Sequence, residues 1–523
     1  MSTDADPSER LFLRSPHLHK LLRGLIVLFS FFFLLLFLYT ALRRIRYPFE
    51  LEWIESGILI SVRRIVQGKG LYVAPSIDFV PYLYAPLYLY IAAATTKLVG
   101  VSYTALRLVS IVSTLGSCFV IYVFISSETR RRLAAIAGVG LFLACYPWVE
   151  AFYDIGRVDS LFVLFMLLAL FFSRRGRPVL AALAWVLCFQ TKQTILPVAI
   201  VLLCADWQQP RRILSGLGVF ALALGSSILW MNHITHGWYS FYLFNIGGGF
   251  PTVWRMAFLF FPNDVFAPLG ICLILGLTAW ALTGGDLRSL IASYYAVVTL
   301  VIYGVIGFVA AHRGAAVNAY IPLYAWTAVI FGVVFHRLLA RLERSGEPRA
   351  AVATTLLLTA VLVQLTMFLY NPGRLLAPSP VRQARQRFID QVRAIPGDVY
   401  VVSHNYDALM AGKQPHAESE SLGTVLFMPT GAIAANLRVE FDNALRSHRY
   451  SAIIIDGPLS ADPYHFQDAY PYVLSAEREE DRFLTSQPTW ILLPCATAGA
   501  IAPMVMQQDT SIRPEKCPLW AGR

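Results

Sequence analysis

Two glutamates stand three residues apart in the segment PFELEWIESG, directly after the first apolar run. On a helix, Glu52 and Glu55 would occupy neighbouring positions of one face. A partly buried carboxylate has a raised pKa and can take the proton from an attacking hydroxyl, which is general-base catalysis. The structural alternative is that both glutamates are solvated on an interfacial helix or paired with Arg63 and Arg64. The segment therefore contains a candidate base, and a purely structural role for both glutamates is the alternative.

Three cations near the ends of later apolar runs could hold a phosphate. Arg157 lies in EAFYDIGRVDS, Lys192 in FQTKQT and Arg313 in HRGAAVN. Cations around a departing phosphate stabilise the negative charge that develops on it. Arg157 would be structural instead if it paired with Asp154 and Asp159 to close a helix turn. Lys192, between two short apolar runs, must snorkel to the interface or meet an anion.

Aromatic side chains are dense in the segment FVPYLYAPLYLY, which contains Tyr82, Tyr84, Tyr88 and Tyr90. Such rings can stack on sugars or line a lipid groove. They also form the aromatic belts of membrane proteins at the lipid interface, which is the structural alternative. Tyr82 and Tyr84, with Asp154 and Asp159, are the candidate substrate-binding residues.

The elements that must position these residues are apolar. Of the 523 residues 57% are hydrophobic and 14% charged, with a mean hydropathy of +0.57, which excludes an ordinary soluble multidomain enzyme. The sequence predicts a polytopic α-helical membrane protein with about eleven transmembrane helices. The apolar runs are roughly 24–42, 106–126, 133–149, 158–173, 178–190, 194–205, 213–232, 264–283, 289–311, 320–336 and 351–370.

The net charge of +11 comes from short basic clusters between these runs. A nucleic-acid binder would gather its cations on one face or arm, so the pattern indicates membrane orientation and no nucleic-acid partner. The clusters predict a cytoplasmic N-terminus and an extracytoplasmic C-terminal region, although Arg43, Arg44 and Arg46 contradict the pattern. One helix over 178–205 would give ten spans and a cytoplasmic C-terminus. Eleven spans are favoured because ten would move Arg211 and Arg212 outside.

Three regions follow from these patterns. Residues 1–23 are a cytoplasmic tail, and 24–370 are the membrane domain with a large first outer loop over 43–105. Residues 371–523 form a small α/β domain, with strands predicted at 398–403, 451–456 and 490–494. Cys495 and Cys517 lie in this domain and would be able to form a disulfide in an oxidising compartment.

The order of several short motifs resembles the GT-C glycosyltransferases over roughly residues 24–320. The motifs are an acidic pair after the first span, a Y-x-P-L element at Tyr84, an R-x-D at Arg157 and a T-K at a helix break at Lys192. The most similar branch contains the protein O-mannosyltransferases and the lipid A aminoarabinose transferases.

The resemblance implies an inverting enzyme of the bacterial inner membrane that takes a sugar from a polyprenyl-phosphate donor on the extracytoplasmic side. Its acceptor would be a lipid, a glycan or a protein, and membrane lipid surrounds it. In this family an acidic residue of the first outer loop is the base, usually within an Asp-Glu pair. Here Ile54 precedes Glu55, so the counterpart is Glu55, which is favoured, or Glu52. The branch requires no metal or other cofactor, whereas oligosaccharyl relatives bind a divalent cation.

Two other classes of protein would use some of these features. A transporter or flippase of lipid-linked glycans also needs a cationic, aromatic cavity, but it should show two halves of related hydropathy, and the sequence shows no such symmetry. An assembly or receptor protein would not need ionisable groups concentrated in the outer loops of its membrane part. The glycosyltransferase interpretation is therefore preferred.

Overall fold

The computed structural model is mostly helical, with a small sheet near the C-terminus. It describes residues 16–204, 209–246, 252–282, 284, 293–312, 317–345, 348–427, 431–456, 462–475, 488–508 and 513–516.

Within the described residues, each of the eleven predicted apolar runs contains a helix. These helices are α1 (Pro16–Arg44), α4 (Tyr103–Thr129), α5 (Arg132–Ala144), α6 (Asp159–Arg174), α7 (Pro178–Thr191), α8 (Leu196–Leu203), α9 (Pro210–Ile234), α10 (Trp254–Ala281), α11 (Tyr294–Ala310), α12 (Ile321–Ser345) and α13 (Pro348–Thr366). The numbers α2 and α3 belong to Ile54–Val66 and Leu87–Val99 in the first loop. The fold class is therefore confirmed.

Seven helices of the described residues are long and apolar enough to cross a membrane, and the other apolar helices are shorter. The number of spans thus stays a prediction. The chain does break at Lys192, whose extended backbone (φ −150°, ψ 103°) separates α7 from α8. A single helix over 178–205 is therefore wrong.

Contacts between helix ends define two faces of the bundle. At one face the end of α1 meets the turn before α6, because Arg44 pairs with Asp154. At the other face the start of α1 meets the end of α12, because Arg23 pairs with Glu343. We call these the site face and the opposite face.

Small residues let the central helices approach closely. A Cβ atom on Gly140 of α5 would lie 2.4 Å from the Oγ atom of Ser30 on α1, and one on Gly138 would lie 2.9 Å from the carbonyl oxygen of Ala328 on α12. Such close approach is how membrane helices gain van der Waals contact where no hydrophobic effect drives association. Helix α5 is thereby held between α1 and α12.

The C-terminal region forms a five-stranded sheet in the order β1-β2-β4-β3-β5. Its strands are β1 (Val399–Val401), β2 (Ala452–Asp456), β3 (Tyr472–Ser475), β4 (Pro488–Leu493) and β5 (Arg513–Lys516), with β1 parallel to β2 and the other pairs antiparallel. Its helices are α14 (Ser379–Ala394), α15 (Asn405–Met410), α16 (Ser419–Phe427), α17 (Ala432–Arg446) and α18 (Cys495–Gln508). The predicted sheet is confirmed, and β3 and β5 are additional strands.

The sheet is covered on both faces. Val399 and Val401 pack with residues of α14 and α18, whereas Tyr400, on the alternate side, belongs to the apolar cluster that continues into the membrane part. Alternate side chains of a strand point to opposite faces, so two separate apolar layers form around one sheet. The domain boundaries at 23 and 370 stay predictions.

Candidate active site

Six side chains at the site face form a connected set of polar contacts, which we call the site cluster. They come from the first loop, the turn before α6, the break after α7 and the turn before α12: Glu52, Tyr84, Arg157, Asp159, Lys192 and Asn318. Five of these six are residues that the sequence proposed.

Glu52 lies just before α2, where its carboxylate satisfies a first-turn amide of that helix. Its Oε2 atom accepts a hydrogen bond from the Ile54 amide at 3.1 Å, and its Oε1 atom accepts one from Arg157 Nη1 at 2.7 Å. The side chain is almost fully buried. Burial raises the pKa of Glu52 to about 7, and the Arg157 guanidinium opposes that rise. Glu52 thus has the protonation equilibrium of a general base near neutral pH.

Arg157 joins the first loop to α6. Besides Glu52, its Nη2 atom donates to the hydroxyl oxygen of Tyr84 at 2.8 Å, and its Nε atom lies 3.4 Å from Asp159 Oδ2. Arg157 reaches Asp159 because α6 begins at Asp159, only two residues later. Arg157 therefore lies between the carboxylates of Glu52 and Asp159. The contact with Asp159 is one of the two ion pairs that the sequence suggested as a structural role for this arginine.

Lys192 reaches the same carboxylate from the helix break. Its Nζ atom donates to Asp159 Oδ1 at 2.9 Å, and Asn318 Nδ2 donates to Asp159 Oδ2 at 3.0 Å. The Lys192 side chain is 20% exposed, far more than those of Asp159 and Arg157. Two cations and two carboxylates alternate through the cluster, so a phosphate that enters must compete with Glu52 and Asp159 for the cations.

Glu55, the favoured base, lies in a different environment. Arg107 of α4 donates to both its carboxylate oxygens, at 3.0 and 2.7 Å, and the amides of Leu51 and Gly156 donate at 2.7 and 2.6 Å. The side chain has no exposed area. Both oxygens are thus occupied in a buried bidentate ion pair, a geometry that ties the loop, α4 and the turn before α6 together.

Asp154 lies apart from the site cluster. It accepts a hydrogen bond from the Tyr146 hydroxyl at 2.7 Å and pairs with Arg44 at 3.0 Å, and both charged side chains are buried. This pair also explains one of the three basic residues, Arg43, Arg44 and Arg46, that depart from the charge pattern. Arg44 is there as a structural partner.

The ring of Tyr82 stacks on that of Tyr84, a member of the site cluster, with ring centroids 6.3 Å apart and planes 23° apart. The Tyr82 ring lies against Gly57 of α2, where an added Cβ would come within 2.2 Å of the ring. Glycine is thus needed for this contact. On the other side, the Tyr82 hydroxyl faces Glu418 of the C-terminal region, whose pKa is raised to about 8 by burial.

The C-terminal region is joined to the first loop beside Glu52. Glu50 pairs with Arg385 at 2.5 Å and with His404, and Arg385 also pairs with Asp407 at 2.5 Å. A second contact joins Ser56 Oγ to the Tyr406 amide at 2.8 Å. The loop that carries the candidate base is therefore held from both sides, by the membrane helices and by this region.

Sequence reasoning missed several of these partners. Arg107 gave a signal, because an arginine within an apolar run is a functional candidate by default. Asn318 gave none, since it is a neutral amide in a turn. The partners of Glu50 lie more than 300 residues away along the chain.

Two predicted features fall outside the described residues. Arg313 is one, so its role at a phosphate stays a prediction. Cys517 is the other, and its pairing with Cys495 likewise stays a prediction. Within the described residues, no group of three or more His, Cys, Asp or Glu side chains could hold a metal ion. The expectation that no cofactor is required stays a prediction too.

Comparison with known proteins gives matches in family and in fold. Residues 83–236 match the family described as dolichyl-phosphate-mannose-protein mannosyltransferase, and this segment contains Tyr84, Arg157, Asp159 and Lys192. No curated protein matches the chain in sequence.

Two crystal structures of ArnT from Cupriavidus metallidurans match the whole architecture. The structure bound to undecaprenyl phosphate is 15% identical, with a TM-score of 0.55, and the match covers 90% of this chain and 98% of that one. The structure in the apo state is 14% identical, with a TM-score of 0.56, and the match covers 90% and 97%. At this coverage the likeness in fold extends beyond residue 320, whereas the family match in sequence, over residues 83–236, lies within the 24–320 given by the motifs. The chain therefore resembles the GT-C glycosyltransferases in fold over most of its length and in sequence over residues 83–236.

Proposed function

We propose that the protein is a membrane glycosyltransferase that moves a sugar from a polyprenyl-phosphate donor to an acceptor hydroxyl, with Glu52 as the general base. The observation that carries this proposal is the environment of Glu52. It is a buried carboxylate whose pKa is raised to about 7, and it contacts Arg157 in a cluster that also contains Lys192. One ArnT structure with this fold is described as bound to undecaprenyl phosphate, which supports the choice of donor.

The proposed reaction is a direct displacement. The acceptor oxygen forms a bond to the anomeric carbon while the bond from that carbon to the phosphate oxygen breaks, with inversion. The hydroxyl proton passes to the Glu52 carboxylate, and the electron pair of the broken bond leaves with the polyprenyl phosphate. A base with a pKa near 7 is about half deprotonated at neutral pH and accepts a proton readily.

Arg157 and Lys192 are the proposed phosphate ligands. Because Arg157 lowers the pKa of Glu52, a donor phosphate that draws the guanidinium away would make the carboxylate a stronger base. Binding of the donor and activation of the base are thereby linked through one arginine. Asp159 and Asn318 keep Lys192 in place until the phosphate arrives.

Glu55 has a structural role in this proposal. Its four hydrogen bonds leave neither oxygen for an acceptor hydroxyl, and moving it would leave Arg107 buried without its partner. We therefore assign the role of base to Glu52 and give Glu55 the task of holding the loop.

The orientation follows from charge. Arg23, Arg131, Arg174 and Arg212 lie at the opposite face, which the positive-inside rule assigns to the cytoplasm. The site face and the C-terminal sheet are then extracytoplasmic, in a bacterial inner membrane. The acceptor, whether lipid, glycan or protein, would approach past Tyr82 and Tyr84.

The test compares Glu52→Gln with Glu55→Gln in proteoliposomes supplied with a panel of undecaprenyl-phosphate sugars and a membrane extract as the acceptor source. Loss of a general base lowers transfer by roughly 10²–10⁴-fold, and we expect this for Glu52→Gln with no loss of undecaprenyl phosphate binding. The melting temperature of Glu52→Gln should fall less than that of Glu55→Gln, because Arg157 keeps its contact with Asp159. Glu55→Gln should instead lower the melting temperature, because it breaks a buried ion pair.

Full transfer by Glu52→Gln would show that the base is another residue. Failure of the wild-type protein both to bind undecaprenyl phosphate and to transfer any sugar of the panel would contradict the function itself. Asp390→Asn, at an exposed carboxylate of α14, serves as the matched control and should behave as wild type.

A further inference from the structure

A pocket of about 370 Å³ opens at the opposite face of the bundle, between the start of α1, the start of α5 and the end of α12. It is far from the site cluster. Arg23, at its rim, is 21 residues before Arg44 on α1, which at 1.5 Å per residue places these two residues about 30 Å apart along the helix. The pocket is therefore a separate feature of the molecule.

The rim of the pocket is cationic. Arg23 Nη2 lies 2.8 Å from Glu343 Oε1, and Arg131 Nη2 lies 3.6 Å from Glu343 Oε2. Two guanidinium groups thus share one carboxylate. The arginine side chains are 38% and 62% exposed, so both retain donors that face outward. Each guanidinium carries five donors in a planar fork, which suits a phosphate.

The wall of the pocket is apolar. Val27 of α1, Leu133 of α5 and Leu339 of α12 line it together with Phe335, below the two arginines. An apolar wall under a cationic rim, at the end of three membrane helices, matches a molecule that has an anionic head and hydrocarbon chains. A free phosphate ion would use only the rim.

We propose that this pocket binds the phosphate head group of an anionic phospholipid from the leaflet at the opposite face. Arg23 and Arg131 bind the phosphate oxygens, and the start of an acyl chain lies along Val27 and Leu339. The lipid bridges α1, α5 and α12, which are the three helices that Gly138 and Gly140 bring together. The lipid thereby stabilises the bundle without taking part in the reaction at the site face.

The experiment places the full-length protein in nanodiscs of phosphatidylcholine with or without phosphatidylglycerol, and measures lipid retained by native mass spectrometry together with the melting temperature. Wild type should retain phosphatidylglycerol in preference to phosphatidylcholine and should melt higher in its presence. The double variant Arg23→Gln/Arg131→Gln should retain about tenfold less, as expected for the loss of a charge-assisted hydrogen bond. Arg344→Gln, an exposed arginine next to Glu343 that does not line the pocket, is the matched control.

A second variant keeps both arginines. Gly24 lines the pocket, and a Cβ added there meets nothing within 4 Å, so Gly24→Leu should fill the space without straining α1. It should lose phosphatidylglycerol as the double variant does, whereas Gly218→Leu, in open space on α9, should not. Equal retention of the two lipids by wild type, or full retention by Gly24→Leu, would overturn the proposal. So would an equal rise in melting temperature with inorganic phosphate alone.

Discussion

At the scale of the residue, hydrogen bonding separates two glutamates that the sequence places side by side. Glu52 accepts one bond from Arg157 and one from a backbone amide, whereas Glu55 accepts four bonds from Arg107 and two amides. Under the proposed function, the first carboxylate exchanges one of these partners for the substrate. The second cannot do so without leaving a buried guanidinium unpaired.

Under the proposed function, in which Glu52 is the base, its titration predicts how sugar transfer depends on pH. Because the base acts only when it is deprotonated and its pKa is about 7, transfer should rise with pH through about 7 and level off above it. Arg157→Met removes the cation that lowers this pKa, so the midpoint of the pH profile should move upward. The measurement is kcat/KM for transfer across pH 5.5–9, chosen as roughly two units around the expected midpoint.

Arg393→Met, at an exposed arginine that pairs with Asp390, is the control and should keep the midpoint of wild type. If kcat/KM instead falls as pH rises through this range, the pH dependence reports a general acid and not the deprotonation of Glu52. An unchanged midpoint in Arg157→Met would show that the two side chains are not coupled.

At the scale of the element, the sequence predicts where helices lie better than where they meet. The eleven apolar runs and the break at Lys192 could be predicted directly, because the length of an apolar run and a cation between two such runs are local signals. Strands β1, β2 and β4 carry apolar runs next to Gly or Pro and were predicted. Strands β3 and β5 were not, because YVLS and RPEK are short and β5 is polar.

In the site cluster, too, the sequence predicts which residues matter but not which of them pair. The charged residues could be chosen from the sequence because ionisable groups are rare near apolar runs. Their pairing could not, since the choice of Arg107 for Glu55 and of Arg157 for Glu52 depends on how α4 and α6 pack. Because tertiary packing decides these pairings, the spacing of the residues in PFELEWIESG cannot predict them.

The contact of α5 with α1 predicts a stability effect. Gly140→Ala would place a Cβ 2.4 Å from Ser30 Oγ and 2.8 Å from Ser30 Cα, so the two helices must separate. Overpacking of this kind costs about 1–3 kcal/mol, and we expect a lower melting temperature in detergent. Gly225→Ala, in open space on α9, is the control and should be neutral or slightly stabilising. A melting temperature equal to that of wild type in Gly140→Ala would contradict the close packing.

At the scale of the whole molecule, a buried group of charges couples the first loop to the C-terminal region. His404 lies between Glu50 and Asp456, with Arg385 and Asp407 beside them. The two carboxylates raise the pKa of His404 to about 10 from its ordinary 6.5, against the effect of burial. A raised pKa contributes stability that is complete below about 6.5 and is lost as pH rises through about 10.

The melting temperature of wild type should therefore exceed that of His404→Gln most at pH 6.5, and the gap should close as pH approaches 10. Thermal melts of both proteins at half-unit steps of pH provide the measurement. His448→Gln, at an exposed histidine that bonds a backbone carbonyl, is the matched control. A gap that stays constant with pH would mean that His404 does not carry a proton in the folded protein.

The coupling of Glu50 to Arg385 also constrains the order in which the molecule can be made. Glu50 emerges from the ribosome soon after the first helix, whereas its partner follows 335 residues later, after α13. Until then the loop that carries Glu52 has only its membrane-side contacts, and Glu50 has no cation from the C-terminal region. A nascent chain that has made every helix up to α13 thus still lacks the contacts of Glu50, and the segment that contains Arg385 and His404 completes them. Under the proposed function, termination before Arg385 would leave an inserted but inactive protein, and sugar transfer would begin only after the segment with Arg385 has been made.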